Sequence, residues 1–396
     1  MSTIFEVTAP LCEHLIDRFK RLDIDNIDRL NHRYATLFFI LASVLVIVRM
    51  YVGELINCWA PAQFEDHWVE YANSLCWVSN TYYVPPSELD IMSVENRTEI
   101  AYYQWVPLVL LTQALLFYIP CALWAVLNKS LGADIKRIIT LLRQEENTNP
   151  NKRGKMNQII AQHLNRLFNV TMIYRKSGPC GRFKNQLIKS QIGCGKRCGN
   201  YLVTLYILLK LIHLANTFLQ IYMLNYFLGT NYTFYGIEVL RQLASKGSYD
   251  ASLHFPKVTL CDFEIRSFGR NIPYSVQCTL PVNIFNEKIF ITGWFVLCLL
   301  LLVNLVSLAH WVWVIFSTNR RRFFKRLLKV AGDKYDRSRD QAKLSFFTNQ
   351  YLRQDGHFIM RLIGTHLGDV AVVDLVEKLW IKSAERYKKI EKCRDV

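Results

Sequence analysis

Four apolar stretches, residues 34–52, 105–127, 201–228 and 289–316, are each long enough to cross a bilayer, which takes about 20 residues of helix. Each holds at most one Lys or Arg and no Asp or Glu. Soluble folds rarely bury helices of that length. Four of them in 396 residues set aside the two or three soluble domains that the length alone would suggest. The composition agrees: 51% of the residues are hydrophobic and 20% charged, an apolar load too large to scatter over loops. Residues 1–33 are polar and charged, with no short apolar core and small-residue cleavage site. The first stretch is therefore expected to act as an uncleaved signal-anchor.

The charge distribution orients these stretches. The chain carries 48 Lys+Arg against 32 Asp+Glu, a net +16, which suits either a nucleic-acid partner or a membrane protein with basic cytoplasmic loops. Segments 1–33, 128–200 and 317–396 hold 39 of the basic residues, and the alternate loops 53–104 and 229–288 hold 7. Long tails weigh little in the positive-inside rule, yet the short comparison, 5 before the first stretch against 1 after it, points the same way. Both termini and loop 128–200 are predicted to be cytoplasmic, in a multi-pass protein of the plasma membrane. Loops 53–104 and 229–288 are then extracellular. The basic run Asn319-Arg320-Arg321-Arg322-Phe323-Phe324-Lys325-Arg326 follows the fourth stretch directly. In that place it is better explained as an anchor on anionic membrane lipid, at about 1 kcal/mol per charge, than as a nucleic-acid contact.

Cysteine usage fits this topology. Of 11 cysteines, Cys58 and Cys76 lie in the first predicted extracellular loop and Cys261 and Cys278 in the second. Disulfides persist outside the cell, so an even set divided two and two is a disulfide framework. Four cysteines allow three connectivities, and all three stay open at this point. Cys12, Cys121, Cys180, Cys194, Cys198, Cys298 and Cys393 are expected to be free. Cys180, Cys194 and Cys198 lack the second close pair that a tetrahedral zinc site uses, and palmitoylated thiols beside the third stretch are the better reading. Sequons on the outside make Asn96 and Asn231 candidate N-glycosylation sites, whereas those at Asn128 and Asn169 would be cytoplasmic and unused. The predicted fold class is an all-α integral membrane protein. It has four transmembrane helices, a small disulfide-linked extracellular domain with some β structure, and a helical cytoplasmic domain.

No phosphate-cradling Gly-rich loop, His-Glu-x-x-His or nucleophile elbow occurs in the sequence. No catalytic, cofactor-binding or metal-ligating residues are expected, and an enzyme is the least favoured class. Charges at membrane depth are costly and need an explanation. Lys210 either snorkels or pairs within a helical bundle, a structural role in both cases. Arg49, close to Glu54 at the outer end of the first stretch, either snorkels outward or lines an aqueous path. His310 is expected to be packed at the inner interface. Pro107 and Pro120 are both expected to interrupt the second stretch.

At Tyr102-Tyr103-Gln104-Trp105-Val106-Pro107 the chain resembles the innexins, the invertebrate gap-junction proteins. Cys58-Trp59-Ala60-Pro61-Ala62-Gln63-Phe64 with Trp68, Tyr71, Cys76 and Asn80-Thr81-Tyr82-Tyr83 is similar to the family's first extracellular loop. His254 to Phe263 and Gln277 to Lys288 are similar to its second. Asp28-Arg29-Leu30-Asn31, Gly199-Asn200-Tyr201-Leu202 and Arg353-Gln354-Asp355-Gly356 match as well, so the resemblance covers nearly the whole chain. Residues 143–158, His366-Leu367-Gly368-Asp369 and the extreme tail fit it less well.

The resemblance implies homo- or hetero-oligomers with other innexins, as octameric rings around a pore, docked onto an opposing hemichannel at the gap junction. It implies disulfides Cys58–Cys278 and Cys76–Cys261. It also implies a pore lined by the N-terminal segment (Ser2, Thr3, Ile4 and Phe5 among residues 2–12) and by Arg49 and Glu54. The expected function is passage of ions and small molecules between adjacent cells. The alternatives are an undocked, pannexin-like hemichannel opening to the outside and a four-span adhesion or scaffold protein.

Overall fold

The computed structural model describes residues 23–84, 98–128, 134–144, 149–176, 199–228, 232–246, 255–267, 269–332 and 340–392. In chain order its helices are α1 (Asn26–Val52), α2 (Asp66–Val78), α3 (Val106–Asn128), α4 (Ile135–Arg143), α5 (Pro150–Lys176) and α6 (Tyr201–Leu228). Then follow α7 (Tyr235–Lys246), α8 (Pro281–Ile315), α9 (Ser317–Val330), α10 (Gln341–Phe346), α11 (Arg353–Leu367) and α12 (Asp369–Lys392). The strands are β1 (Asn57–Trp59), β2 (Thr81–Tyr83), β3 (Thr98–Ile100), β4 (Val258–Ser267) and β5 (Arg270–Thr279).

Helices α1, α3, α6 and α8 are long and apolar enough to cross a membrane, with 27, 23, 28 and 35 residues. Their outer faces carry rows of exposed apolar side chains, such as Leu37, Leu41, Leu45 and Val48 on α1 and Leu299, Leu302 and Val306 on α8. Apolar rows of that extent belong against lipid or a neighbouring subunit. Two of these helices start well before their apolar stretches. Asp25 caps α1, its carboxylate accepting from the Ile27 N–H, and Pro281 occupies the first position of α8, where a missing N–H costs nothing. Pro107 does not interrupt α3 as expected. It lies in the first turn, where no intrahelical bond is lost, and only Pro120 is interior.

The chain divides into two compact units, one from Tyr34–Tyr118 and Leu214–Leu302, the other from Met1–Arg33, Ile119–His213 and Val303–Val396. The first unit holds a five-stranded antiparallel sheet in the order β1-β5-β4-β2-β3. Its centre is the β4–β5 hairpin, paired from Val258↔Thr279 to Ser267↔Arg270. At its turn, Gly269 has φ +81°, a left-handed conformation that glycine adopts without a Cβ clash. In the same unit, α7 packs closely on α8, since a Cβ on Gly236 would overlap the Trp294 ring.

The second unit is helical. Helix α4 buries Ile135, Ile138 and Ile139, one face at helical spacing, and Asp134 caps it through the Arg137 N–H at 3.1 Å. Its core is aromatic and aliphatic: Phe324, Phe347, Ile359, Leu375 and Trp380 are all buried in one cluster. Helix α11 is buried over its first half, and it begins at Arg353, which has φ +58°, after a π-helical turn Phe347–Leu352.

Candidate functional site

In the sheet unit, Cys58 is joined to Cys278 and Cys76 to Cys261. Cys58 and Cys278 face each other across β1 and β5, and the second bridge ties α2 to β4. The sulfurs of Cys58, Cys76 and Cys278 all lie within 4.8 Å of one another, but they are bridged and fully buried, so they are not free thiolate ligands for a metal. Two crosslinks at one spot make residues from two distant loops a single block. Within the first of these loops, Asn73 Oδ1 accepts from the Cys58 N–H at 3.0 Å.

The motif from Tyr102 to Pro107 ties α2 of this block to the start of α3. Tyr102, Tyr103 and Gln104 form a single 3-10 turn. Tyr103 is fully buried, its hydroxyl 3.2 Å from the Trp77 carbonyl, and the Gln104 amide donates to the same oxygen. The Tyr102 ring meets Phe255 and Phe227 edge-on, at centroid distances of 5.8 and 6.3 Å. Burial pushes both phenols above the usual tyrosine range, so they act as neutral packing groups. Val106 is buried, Trp105 is exposed, and the Pro107 carbonyl accepts from Ser43 Oγ on α1 at 2.9 Å.

Arg49 and Glu54 sit at the end of α1. The Arg49 side chain is half-buried, its guanidinium 5.3 Å from the centre of the Phe285 ring and folded against Gly53. Glu54 is exposed and accepts from Asn57 Nδ2 at 3.2 Å. On α8, Glu287 is 2% exposed and pairs with Lys288 at 2.8 Å and Lys257 at 3.4 Å. Asn283 beside it donates to the Pro256 carbonyl at 2.9 Å. Both residues stand in the Gln277 to Lys288 motif, but their burial is not legible there, because polar residues ahead of an apolar stretch look like loop.

In the helical unit, Lys210 is 1% exposed and paired, with Asp28 at 2.7 Å and Asp25 at 3.2 Å. Tyr206 donates to the other oxygen of Asp28, and Trp311 Nε1 donates to Asp25 at 2.9 Å. Burial alone would push the Asp25 carboxyl up, but Lys210, Trp311 and the Ile27 N–H outweigh it and hold the carboxyl below its usual range. Neighbouring residues are tied down too. Asp23 accepts from Trp124 and Asn128, each at 3.0 Å, the Ile24 carbonyl meets the His366 ring at 2.9 Å, and Asn31 pairs with Asn304. The stretch 23–31, which ends in the first turns of α1, is therefore a fixed root. His310 is exposed on the single chain, its ring 6.2 Å from that of Trp311 and 6.4 Å from that of Trp313.

Two motifs about 150 residues apart meet in the same unit. Asp355 accepts from the Val203 N–H at 3.2 Å, at the N-terminus of α6, and its own N–H donates to the Gly199 carbonyl at 3.0 Å. Gly199 has φ +69° and leaves no room for a Cβ beside Arg353. A carboxylate at a helix N-terminus satisfies orphan N–H groups. Even so, burial pushes the Asp355 carboxyl up to about 6, against the pull of the Val203, Tyr201 and Leu202 N–H groups and Arg353.

Neither Cys121 nor Cys298 takes part in a disulfide. Ser2, Thr3, Ile4, Phe5, Cys12, Asn96, Cys180, Cys194, Cys198, Asn231 and Cys393 lie outside the described residues.

The innexin family model matches residues 24–383. The chain is 35% identical over 364 residues to Innexin unc-9 of Caenorhabditis elegans, covering 91% of this chain and 92% of that one. It is 35% identical to Innexin-16 over 361 residues (90% and 89%) and 30% identical to Innexin eat-5 over 388 residues (93% and 89%), both from the same nematode. With four helices able to cross a membrane and a disulfide-joined sheet, the chain belongs to the innexin family and is a subunit of the oligomeric gap-junction channels that this family forms.

Proposed function

We propose that eight copies of this chain close into a ring, with both termini in the cytoplasm, and that the sheet units of two such rings dock across the intercellular gap. The observation that carries this reading is the doubly crosslinked sheet. Docking two rims needs surfaces that lose little freedom on contact, and the bridges Cys58–Cys278 and Cys76–Cys261 supply that preorganisation. The sheet unit also exposes Trp59 (82%), Trp68 and Tyr71, the aromatic types that interfaces favour. Ring closure through head-to-tail contacts uses the exposed apolar rows of the spanning helices.

In this reading the pore is lined by Ser2, Thr3, Ile4 and Phe5, by Arg49 and by Glu54. The anchored root 23–31 supports it, since a fixed root gives the preceding segment one place to start. Asn96 and Asn231 are candidate glycosylation sites on the outer loops. The 39-to-7 division of basic residues supports the orientation.

Imaging of the purified particle tests the assembly. Eight subunits per ring and head-to-head double rings are expected, and another subunit number, or only single rings in preparations from cell contacts, would overturn it. An impermeant thiol reagent tests the orientation: it should not label Cys12 or Cys393 from outside intact cells, and labelling of either would reverse it.

A further inference from the structure

Where α8 ends and α9 begins, the basic run does more than face the membrane. Arg322 and Arg326 from α9 and Arg361 from α11 line a cleft of about 220 Å³ together with Trp313, Phe323 and Asn319. One carboxylate, Asp369, shares it, so three guanidinium groups face one counter-charge. Among the described residues, none of the three arginines has a carboxylate within salt-bridge distance. Arg361 is held in place without being satisfied. Its guanidinium stacks on the Phe323 ring at 4.1 Å, and its buried Nε has no hydrogen-bond partner among the described residues. Burial lowers the Arg361 pKa, Arg326 adds to that, and Asp369 opposes it.

The excess of guanidinium groups and the stacked Arg361 favour a bound anion, with the Asp369 carboxylate as the one opposing charge. A planar guanidinium fixed on an aromatic face keeps its N–H edge free for bidentate bonds to phosphate oxygens. The cleft is smaller than the roughly 300–1,000 Å³ of drug-sized sites, which suits a compact polyanion. Trp313, 55% exposed near the end of a spanning helix, is of the type that sits at headgroup level.

We propose that this cleft is a specific site for a phosphate ester, presented either as the headgroup of a membrane lipid or as a soluble inositol phosphate. The test uses the purified full-length channel in detergent, titrated with short-chain phosphatidylinositol bisphosphate, with inositol trisphosphate and with short-chain phosphatidylcholine. Saturable binding of the first or second, and none of phosphatidylcholine, is expected. Arg322→Gln and Arg361→Gln should each weaken it about ten-fold, as loss of one charge-assisted contact does. Lys329→Gln removes an exposed charge from the same helix outside the cleft and should change it less than two-fold. Lipid bound at least ten-fold tighter than the free headgroup supports the site with lipid as the source; equal affinity supports it with a soluble ester. No saturable binding, or equal losses in Lys329→Gln and Arg322→Gln, would overturn the site in favour of a diffuse basic surface. Arg322 is exposed, so its variant reports even if Arg361→Gln folds poorly.

Discussion

Lys210 Nζ lies 2.7 Å from Asp28 Oδ1, and both side chains are shut off from solvent, at 1% and 2% exposure. The pair clips the root of α1 to the N-terminal half of α6. Removing one member of a buried pair leaves the other charge uncompensated, at a cost of about 3–5 kcal/mol. Lys210→Met should lower the thermal midpoint of the purified channel sharply. Adding Asp28→Asn and Asp25→Asn to it should recover part of the loss. A midpoint unchanged in Lys210→Met would show that the cluster is not a clamp.

The two bridges hold distant loops together, and loss of a native disulfide typically costs about 2–5 kcal/mol. Single replacement of Cys58, Cys76, Cys261 or Cys278 by Ser should abolish junctional coupling. Cys298→Ser, which removes a free thiol, should leave it intact. Normal coupling in all four variants would exclude a role for the bridges in docking.

Membrane helices are legible because lipid demands apolar side chains along a whole span, and the four stretches announced α1, α3, α6 and α8. What stayed hidden is pairing at a distance. The sequence leaves Lys210 to snorkel or to pair within a bundle, and nothing in the local pattern selects Asp28 as its partner. Gly199 and Asp355 belong to motifs that stood out separately, and only the fold shows that one caps the helix the other precedes. The buried turn of Asn283 and Glu287 was hidden for the opposite reason, since hydropathy scores a satisfied polar residue as though it were exposed.

Asp355 has a carboxyl raised from 3.8 to about 6 by burial. A raised acid binds its proton more tightly folded than unfolded, so its stabilising contribution is complete below about pH 4 and is lost as pH rises through 6. His357, pushed down to about 3 by burial and by Arg361 and Arg320, has the opposite slope, so a difference between proteins isolates Asp355. Relative to Asp355→Asn, wild type should lose thermal stability between pH 4 and 6 and stay level above about pH 7. A constant difference across pH 4–7 would mean that the carboxyl is not raised.

Charges in a narrow pore act on passing ions far more strongly than charges facing bulk water. Glu54→Gln should shift permeability away from cations and Arg49→Gln toward them, read as reversal potentials under a salt gradient. If Arg49 serves only its packing against Phe285 and Gly53, its replacement will change surface assembly and leave selectivity alone.

Dual whole-cell recording from paired cells that express only this chain on both sides measures the channel itself. A junctional current carried by small ions, with passage of a small dye between the partners, is the expected result. No junctional current between pairs whose contact zone is rich in the protein would contradict a channel formed by docked rings of this subunit.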